Sequence, residues 1–551
     1  MINKITILNK ILLTVLVFLL IITGFSRCYN TNHSHSEDSW ETFLYSNLGG
    51  ISQHTLERNA LPWKFAATAL ILYYNNKEGL DISLKSLSTI YKKFGFLYPT
   101  KIENVYSSSI LKDNMPLGIV RGTTYLAGIF PVEGINVGCA SCHVGTSYGE
   151  DGLPAKEVWA GQPNTSINFE LYLNEMFNAM AYSMNQDSEF FKNTINKLFP
   201  EMSLLERFTI NRLLLNPIKK RVVDLQKTIN RPVPYPAGGP GLTNGVAALK
   251  YQLKTINRKQ FDPNEAALTS IPDISSRILR SSLLYDGVYA KNQNRFYEKR
   301  LDNISTEVIK DHSFLVSIFT VPTMGQSFGK AIELQPQIDN VLSTIYTEYQ
   351  PKKFPGKADL ELAEQGRIAY NENCQSCHGY YAGKLEDLTL VSFPNKLVPW
   401  KDILTDSTRF SRMDEKTAKI INSSEYSDHI NAKQTNGYVG TILDGIWVTA
   451  PYLHNGSVPT LWHLFYPEER PSKFLIGGHM LDYERVGIAF KNDEEGFLND
   501  YLNYPSNYIP FSNPVIYDTS LPGCSNRGHE FEFSNLNDGE KTALIEYLKL
   551  L

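Results

Sequence analysis

The feature that most constrains this chain is a five-residue pattern, C-x-x-C-H, that occurs twice. The strings are C-A-S-C-H at residues 139–143 and C-Q-S-C-H at residues 374–378, and they contain four of the six cysteines. This spacing is the attachment signature of haem c, because two thiols can form thioether bonds to one porphyrin while the adjacent histidine ligates its iron. A zinc site built from the two C-x-x-C pairs is the alternative, but it needs no histidine directly after each pair. The strings therefore predict two covalently bound haems c.

The positions in the two strings have predicted roles. The thioether-forming residues are Cys139, Cys142, Cys374 and Cys377, and the proximal iron ligands are His143 and His378. The remaining cysteines, Cys28 and Cys524, could pair in an oxidising compartment, but Cys28 lies at a predicted processing point. We expect both of these to be inert.

The amino-terminal segment has the order of a secretory signal. Lys4 and Lys10 precede an uncharged apolar stretch at residues 11–25, which Ser26 and Arg27 follow. This stretch is short for a bilayer span of about 20 residues, so we expect residues 1–26 to be a cleaved signal peptide, with an uncleaved anchor as the alternative. Both place the haems in the periplasm or on the outer face of the cytoplasmic membrane, and only the anchor would contact the membrane.

The charge balance argues against one class of partner. The formal net charge is −4, from 53 Lys and Arg against 57 Asp and Glu, and no basic run occurs. Nucleic acid is therefore not an expected partner. Hydrophobic residues make up 42% of the 551-residue chain, which is enough to fill the cores of two or three domains.

A break in the sequence predicts two domains. Residues 349–357 contain two prolines, a glycine and three lysines, a composition that interrupts regular structure. We expect an N-terminal haem domain at residues 38–350 and a C-terminal haem domain at residues 357–551.

Two predicted helices frame the second string. Residues 359–370 have helical spacing and lead into that string. At the carboxyl end, Asn537 and Glu540 form a capping-box pattern ahead of an apolar helical face. A helix that enters the haem string and a closing helix are typical of the cytochrome c fold. The first region is enlarged by two segments with helical spacing, at residues 167–184 and 204–228, and by a proline- and glycine-rich loop at residues 232–240. We therefore predict a mainly α fold with two cytochrome c-like haem domains, the first enlarged by helical and loop insertions.

Longer motifs support a family resemblance. These are A-P-Y-L-H-N-G-S-V-P-T-L at residues 450–461, S-N-R-G-H-E-F at 525–531, and G-Q-P-N at 161–164, shortly after the first string. They resemble dihaem c-type enzymes of the bacterial cytochrome c peroxidase and MauG superfamily, and are most similar to the RoxA-like (rubber oxygenase) branch. The resemblance covers residues 115–164 and 359–551, whereas residues 190–340 match little beyond 281–287.

The resemblance implies that the two irons divide the work. One haem keeps an exchangeable axial position for peroxide or dioxygen, and the other is six-coordinate and relays electrons. For the second haem, His529 is the expected distal ligand, because it lies in a glycine-flanked loop ahead of the closing helix. His454, in the H-N-G-S turn, is the alternative ligand or a structural residue. Met480 and Met413 lack a supporting motif.

The first haem has no evident distal ligand in the sequence. His312 and the methionines of its region (Met176, Met180, Met184 and Met324) are candidates, but a methionine stripe at helical spacing more often fills a core. We therefore expect an open iron at His143. Trp447 is either an electron bridge or an ordinary buried tryptophan, and Tyr285 and Asp286 are candidates to shape the first pocket.

Three functions agree with these features. The first is an exported haem-dependent oxidoreductase that activates peroxide or dioxygen at the first haem, with a redox partner protein or a small-molecule substrate. The second is a non-catalytic dihaem electron-transfer cytochrome, and the third is a haem-based sensing module. The chain exceeds two minimal cytochromes by roughly 350 residues on usual domain sizes, which favours the enzyme.

Overall fold

A computed structural model describes residues 39–45, 61–105, 111, 115–323, 327–489 and 512–551. The predicted signal at residues 1–26, Cys28 and Met324 lie outside the described residues. Among the residues that are described, no helix is both long and apolar enough to cross a bilayer.

Helices surround both haem strings. In chain order they are α1 (Ser39–Tyr45), α2 (Trp63–Glu78), α3 (Ser86–Lys93), α4 (Phe169–Met184), α5 (Ser188–Leu198), α6 (Leu204–Phe208), α7 (Leu215–Thr228), α8 (Gly245–Gln252), α9 (Thr306–Thr323), α10 (Phe328–Glu348), α11 (Leu360–Asn373), α12 (Gln375–His378), α13 (Trp400–Ile403), α14 (Thr408–Arg412), α15 (Glu415–Asn422), α16 (Leu461–Phe465), α17 (Glu530–Ser534) and α18 (Asp538–Leu548). A π-helical segment, Thr209–Leu214, joins α6 to α7.

The strands are short and form small sheets. They are β1 (Leu61–Pro62), β2 (Lys101–Ile102), β3 (Ile119–Leu126), β4 (Phe130–Val137), β5 (Val144–Tyr148), β6 (Pro154–Ala160), β7 (Leu242–Thr243), β8 (Thr269–Ser270), β9 (Ser282–Leu283), β10 (Tyr289–Ala290), β11 (Lys299–Arg300), β12 (Tyr380–Ala382), β13 (Thr389–Phe393), β14 (Leu397–Pro399), β15 (Asn431–Ala432), β16 (Gly437–Val439), β17 (Lys473–Ile476), β18 (Leu481–Asp482), β19 (Gly487–Ile488) and β20 (Val515–Asp518). The three-stranded sheets have the orders β1-β4-β3, β15-β10-β9, β11-β13-β12 and β2-β6-β5. Pairing is antiparallel except between β2 and β6.

The prediction of a mainly α fold is wrong. Helices account for 45% and strands for 16% of the structure, which is a mixed α/β fold. The strands escaped prediction because most have only two to five residues, too few to show the alternation of a half-buried strand. The longer strands are β6, with seven residues, and β3 and β4, with eight each. The last two form a hairpin just before the first string.

The two helices predicted around the second string are confirmed. The Asp359 side chain accepts hydrogen bonds from the first turn of α11, and Asn537 and Glu540 form the expected capping box at α18. The spacing at residues 167–184 produces α4, and that at 204–228 produces α6, the π segment and α7.

Sheets join the regions on both sides of the predicted boundary. Strand β10 pairs with both β9 and β15, and β13 pairs with both β11 and β12. The intervening segment is irregular, as predicted, and its carbonyls accept hydrogen bonds from Trp159 at Gln350 and from Trp447 at Lys352. Residues 40–551 cluster as one compact unit, and the division at residues 350–357 stays a prediction.

The helix that carries the second string packs closely on the C-terminal helix at a glycine. A Cβ atom at Gly366 of α11 would lie 2.0 Å from the Ala543 carbonyl oxygen and 2.9 Å from the Tyr547 Cβ of α18. The two helices therefore approach at a distance that only glycine permits.

We expect Gly366→Ala to lower the free energy of unfolding by about 2 kcal/mol or more, because the added methyl group forces α11 and α18 apart. The matched control is Gly539→Ala in α18, where the nearest atom to a Cβ is the flexible Asn537 Oδ1 at 3.2 Å; its effect should stay below about 1 kcal/mol. Thermal unfolding followed by circular dichroism measures both. Equal effects of the two changes would contradict the close packing at Gly366.

Candidate functional site

Each C-x-x-C-H string folds as one helical turn. In the second string, the backbone N–H groups of Cys377 and His378 donate to the Cys374 carbonyl at 3.1 and 2.9 Å, and in the first string Cys142 and His143 donate to the Cys139 carbonyl at 3.2 and 3.0 Å. Residues three apart lie on the same side of such a turn, so both thiols of a string can reach one porphyrin. All four thiols are free of disulfide bonds.

The proximal histidine of the second string is oriented by the backbone. The Nδ1–H group of His378 donates to the Thr441 carbonyl at 2.8 Å. Burial, with a smaller contribution from the neighbouring His529, lowers the pKa of His378 to about 4. The ring is therefore neutral at physiological pH, and its Nε2 lone pair is available to a metal.

His529 faces His378 across a gap. The two ring centroids are 6.0 Å apart and the ring planes differ by 21°. Metal to imidazole nitrogen bonds are about 2 Å long, and a ring nitrogen lies roughly 1.1 Å from its centroid, so two imidazoles on opposite sides of one metal place their centroids about 6 Å apart. The observed separation fits one iron between the two histidines.

The backbone and a carboxylate hold His529 in this position. Its N–H donates to the Ile403 carbonyl at 3.0 Å, and its φ of 63° turns the chain directly before α17. The Nδ1 atom lies 3.3 Å from a carboxylate oxygen of Glu532. Burial raises the pKa of Glu532, but the hydrogen bond and charge of His529, a backbone hydrogen bond and the charge of His378 together outweigh it and lower the pKa. A carboxylate at Nδ1 directs Nε2 toward the metal, as is usual for histidine ligands.

His454 has a different environment. Its ring stacks on Tyr438 with centroids 4.2 Å apart, and its Nε2 lies 3.1 Å from the Tyr438 hydroxyl. Because that hydroxyl donates to the Asp406 carbonyl, Nε2 must carry the proton and donate to Tyr438. Burial lowers the pKa of His454, so the ring stays neutral. Its Nε2 is engaged within the protein, in contrast to the gap between His378 and His529.

The G-Q-P-N motif supports the first string. The N–H groups of Gly161 and Asn164 donate to the carbonyls of His143 and Cys142, both at 2.8 Å. The buried Asn164 amide also donates to the Ser141 carbonyl at 3.0 Å. The motif that carried part of the family resemblance therefore holds the backbone of the haem string.

His143 is neutral and lies beside a backbone carbonyl. Burial lowers its pKa to about 4 and the charge of Arg277 acts in the same direction, while the Pro272 carbonyl opposes them. The Nδ1 atom is buried near that carbonyl without a hydrogen bond of ordinary geometry. Among the described residues, no second imidazole ring is paired with His143 as His529 is with His378.

The other candidates at the first haem are placed as follows. Met176 and Met184 lie in the apolar core around α2 and α4, and Met180 packs against it. His312 is buried with its ring 5.5 Å from that of Tyr346. Tyr285 bonds the Ser270 hydroxyl at 2.8 Å.

Three further side chains named from the sequence are buried. Asp286 pairs with Arg409 at 3.2 Å. Trp447 is 1% exposed and lies against Phe354, with ring centroids 5.7 Å apart. Met413 lies in an apolar core with Ala418 and Ile421.

Sequence reasoning missed the residues that orient the histidines. Thr441 and Pro272 act through backbone carbonyls, which leave no signal in side-chain identity. Glu532 lies three residues after His529, a spacing that could have suggested the contact. Within the described residues, no group of three or more histidine, cysteine, aspartate or glutamate side chains is arranged to hold a metal ion directly.

Comparison with known proteins identifies a cytochrome segment. A family model described as RoxA-like, cytochrome c-like matches residues 437–475, which include Thr441, Trp447 and His454. A domain of this kind implies covalently bound haem c and a haem-based redox role. It supports the RoxA-like branch of the predicted resemblance.

Two curated proteins of Sinorhizobium fredii are similar to the chain. The uncharacterized protein y4iM is 28% identical over 220 residues, which are 34% of this chain and 46% of that protein. The uncharacterized protein y4iJ is 26% identical over 275 residues, or 39% of this chain and 43% of that protein. The chain therefore aligns with less than half the length of either relative.

We expect His529→Ala to convert one haem per chain from a low-spin to a high-spin ferric state, because it removes one of the two opposed imidazoles. The matched change is His454→Phe, which keeps an aromatic ring against Tyr438 and should leave the spectrum low-spin. Electronic absorption and electron paramagnetic resonance spectra measure both. A low-spin spectrum in the first variant and a high-spin one in the second would assign the ligand to His454 instead.

Proposed function

We propose that this protein is an exported dihaem c-type oxidoreductase. One haem c is attached at Cys139 and Cys142 with His143 as its proximal ligand, and it activates peroxide or dioxygen. The other is attached at the second string with His378 and His529 as axial ligands, and it exchanges electrons. The observation that carries the proposal is the asymmetry between the strings: His378 faces a second imidazole at 6.0 Å, and His143 has no such partner among the described residues.

The second site has the properties of an electron-transfer centre. The His378 and His529 rings, held at Nδ1 by a carbonyl and a carboxylate respectively, would hold the iron from both sides and would leave no position for an exchangeable ligand. Ligands held in both oxidation states keep the geometry constant, which lowers the reorganisation that accompanies electron exchange. The haem supplies the redox couple, and the protein supplies the orientation of both rings.

The first site has the properties of a reactive centre. His143 stays neutral at physiological pH because burial and Arg277 both disfavour its protonation, so the ring can ligate iron across the physiological range. The backbone contacts of Gly161 and Asn164 fix the string. Among the described residues no second imidazole is paired with His143, so a haem held there would keep a position for dioxygen or peroxide.

A short path connects the surroundings of the two strings. Trp159, on the strand that pairs with β5 next to His143, donates to the Gln350 carbonyl at 3.0 Å, and Trp447 donates to the Lys352 carbonyl at 2.9 Å. Both indoles are thus hydrogen-bonded to one three-residue stretch. This arrangement supports a path for electrons between the sites that would include Trp447.

The location and partners follow from the sequence. The predicted signal or anchor at residues 1–26 indicates the periplasm or the outer face of the cytoplasmic membrane. The electrons come from a redox partner protein, or they come directly from a small-molecule substrate that is oxidised.

A non-catalytic dihaem electron-transfer cytochrome is the second candidate. It is favoured by the family match, which is described as cytochrome c-like and covers residues 437–475. This segment contains Thr441, whose carbonyl accepts the His378 hydrogen bond, and it includes neither haem string.

Carbon monoxide binding separates the two candidates, because it requires a ferrous haem with an open axial position. We expect the purified full chain to contain two haems c by pyridine haemochrome assay and to bind one carbon monoxide per chain. The variant His529→Ala opens the second haem and should raise this to two. If the unaltered protein binds no carbon monoxide, the electron-transfer cytochrome is the remaining candidate.

Turnover then defines the enzyme class. The unaltered protein is assayed with peroxide plus a reduced cytochrome, and separately with dioxygen plus polyisoprene. Activity in the first assay defines a peroxidase and activity in the second an oxygenase. If carbon monoxide binds but neither assay shows turnover, these two activities are excluded.

A further inference from the structure

Three basic side chains between the two strings lack carboxylate partners. The Arg277 Nε donates to the Asp273 carbonyl at 2.6 Å, and the Lys299 Nζ to the Ile278 and Arg280 carbonyls at 2.8 and 3.2 Å. Arg280 donates to the carbonyls of residues 282 and 284 at 3.1 and 2.8 Å. Among the described residues, none of the three forms an ion pair with a carboxylate. Their hydrogen-bond partners are backbone carbonyls, whereas the carboxylates that respond to these charges, such as Asp273 and Asp444 for Arg277, form no ion pair with them.

Burial makes two of these charges costly. It lowers the pKa of Lys299 to about 8 and that of Arg280 to about 9, and Arg280 is only 4% exposed. An uncompensated buried cation is strongly destabilising unless an anion binds beside it. Arg409 shows the usual solution, because it pairs with the buried Asp286 at 3.2 Å.

The nearby carboxyl groups are already engaged by other donors. Asp273 accepts hydrogen bonds from the Tyr349 hydroxyl at 2.7 Å and from the Ser275 hydroxyl at 2.5 Å. Asp444 is bonded by the hydroxyls of Ser276 and Tyr381. Burial raises the pKa of both aspartates, to about 6 for Asp273. Neither one pairs with the three basic side chains.

A buried histidine adjoins the same group. His312 is 2% exposed, and its Nδ1 atom has no hydrogen-bond partner among the described residues. Burial lowers its pKa, and the charges of Lys299, Arg280 and Arg277 lower it further. The Arg280 backbone carbonyl, which lies beside the ring, opposes these effects, and the ring is neutral.

This basic cluster (Arg277, Arg280, Lys299 and His312) lies between the two haem strings. On one side, the segment that begins at Pro272 places its carbonyl near the His143 ring. On the other side, the Arg280 guanidinium lies 5.8 Å from the centroid of the Phe393 ring, and Lys299 is paired with Phe393 across β11 and β13. Phe393 packs on Gly379, the residue after His378: a Cβ at Gly379 would lie 3.1 Å from its ring.

We infer that the basic cluster binds the propionate carboxylates of the haems, with Arg277 serving the haem at His143 and Arg280 and Lys299 serving the haem at His378. Each haem carries two propionates, and guanidinium groups bind carboxylates through paired, charge-assisted hydrogen bonds. The inference rests on the haem binding of the proposed function and adds the residues that set the electrostatic environment of each iron. Positive charge near a haem favours the reduced state, so the cluster raises both reduction potentials.

Loss of single charges tests the inference in the holoprotein. We expect Lys299→Met to lower the reduction potential of the low-spin haem, and Arg277→Gln to lower that of the haem that binds carbon monoxide. The matched control is Arg300→Met, since Arg300 neighbours Lys299 on β11 but points to the opposite face and is exposed beside Glu298 and Asp302. Both reduction potentials of the Arg300→Met variant should equal those of the unaltered protein. Spectroelectrochemical titration measures all of these potentials.

A charge-conserving variant provides a second test in case the charge-removing variants do not fold. Arg277→Lys keeps the charge but loses the planar guanidinium, so it should shift the resonance Raman band of propionate bending while the potentials stay close to those of the unaltered protein. Two attached haems with unchanged potentials and an unchanged Raman band in these variants would overturn the inference alone. Fewer than two haems in the unaltered protein would instead overturn the proposed function.

Discussion

The opposition of His378 and His529 is the constraint on which the second site depends. The two rings come from distant parts of the chain, yet their centroids lie 6.0 Å apart with nearly parallel planes. Neither ring could hold this position alone. The Thr441 carbonyl fixes the first ring, and the second depends on the turn at φ 63° and on Glu532. These supports belong to two separate segments, around Thr441 and at residues 529–532, that only the packed fold brings together.

The same principle explains the difference between the two strings. Both fold as one helical turn, and both proximal rings are neutral because burial lowers their pKa. The two strings differ in the residues that face each histidine ring. The methionines near the first string are absorbed into an apolar core, whereas the second string faces a histidine. The asymmetry proposed for function is therefore a property of the surroundings and is absent from the motif itself.

The small sheets explain why the fold is mixed rather than mainly α. Strands of two or three residues such as β9, β10, β11 and β15 pair segments that flank the strings, and they join the regions before and after residues 350–357. They carry the loops that supply Pro272 and the basic cluster. Their pairing depends on backbone hydrogen bonds between distant segments. A strand of two residues is too short to show a periodic pattern in the sequence.

The sequence alone determined the haem strings, the turn that each one forms, the helix that enters the second string and the capped C-terminal helix. These features depend on local spacing and local hydrogen bonds, which a few adjacent residues encode. His529 was the preferred ligand from its motif and stays a prediction, to which the tertiary structure adds that its ring lies opposite His378 whereas the Nε2 of His454 is engaged by Tyr438. The tertiary structure also decided the strand content, the carbonyls that orient the proximal rings, and the basic cluster between the strings. Each of these depends on contacts between residues far apart in the chain, and such contacts arise only when the whole core packs.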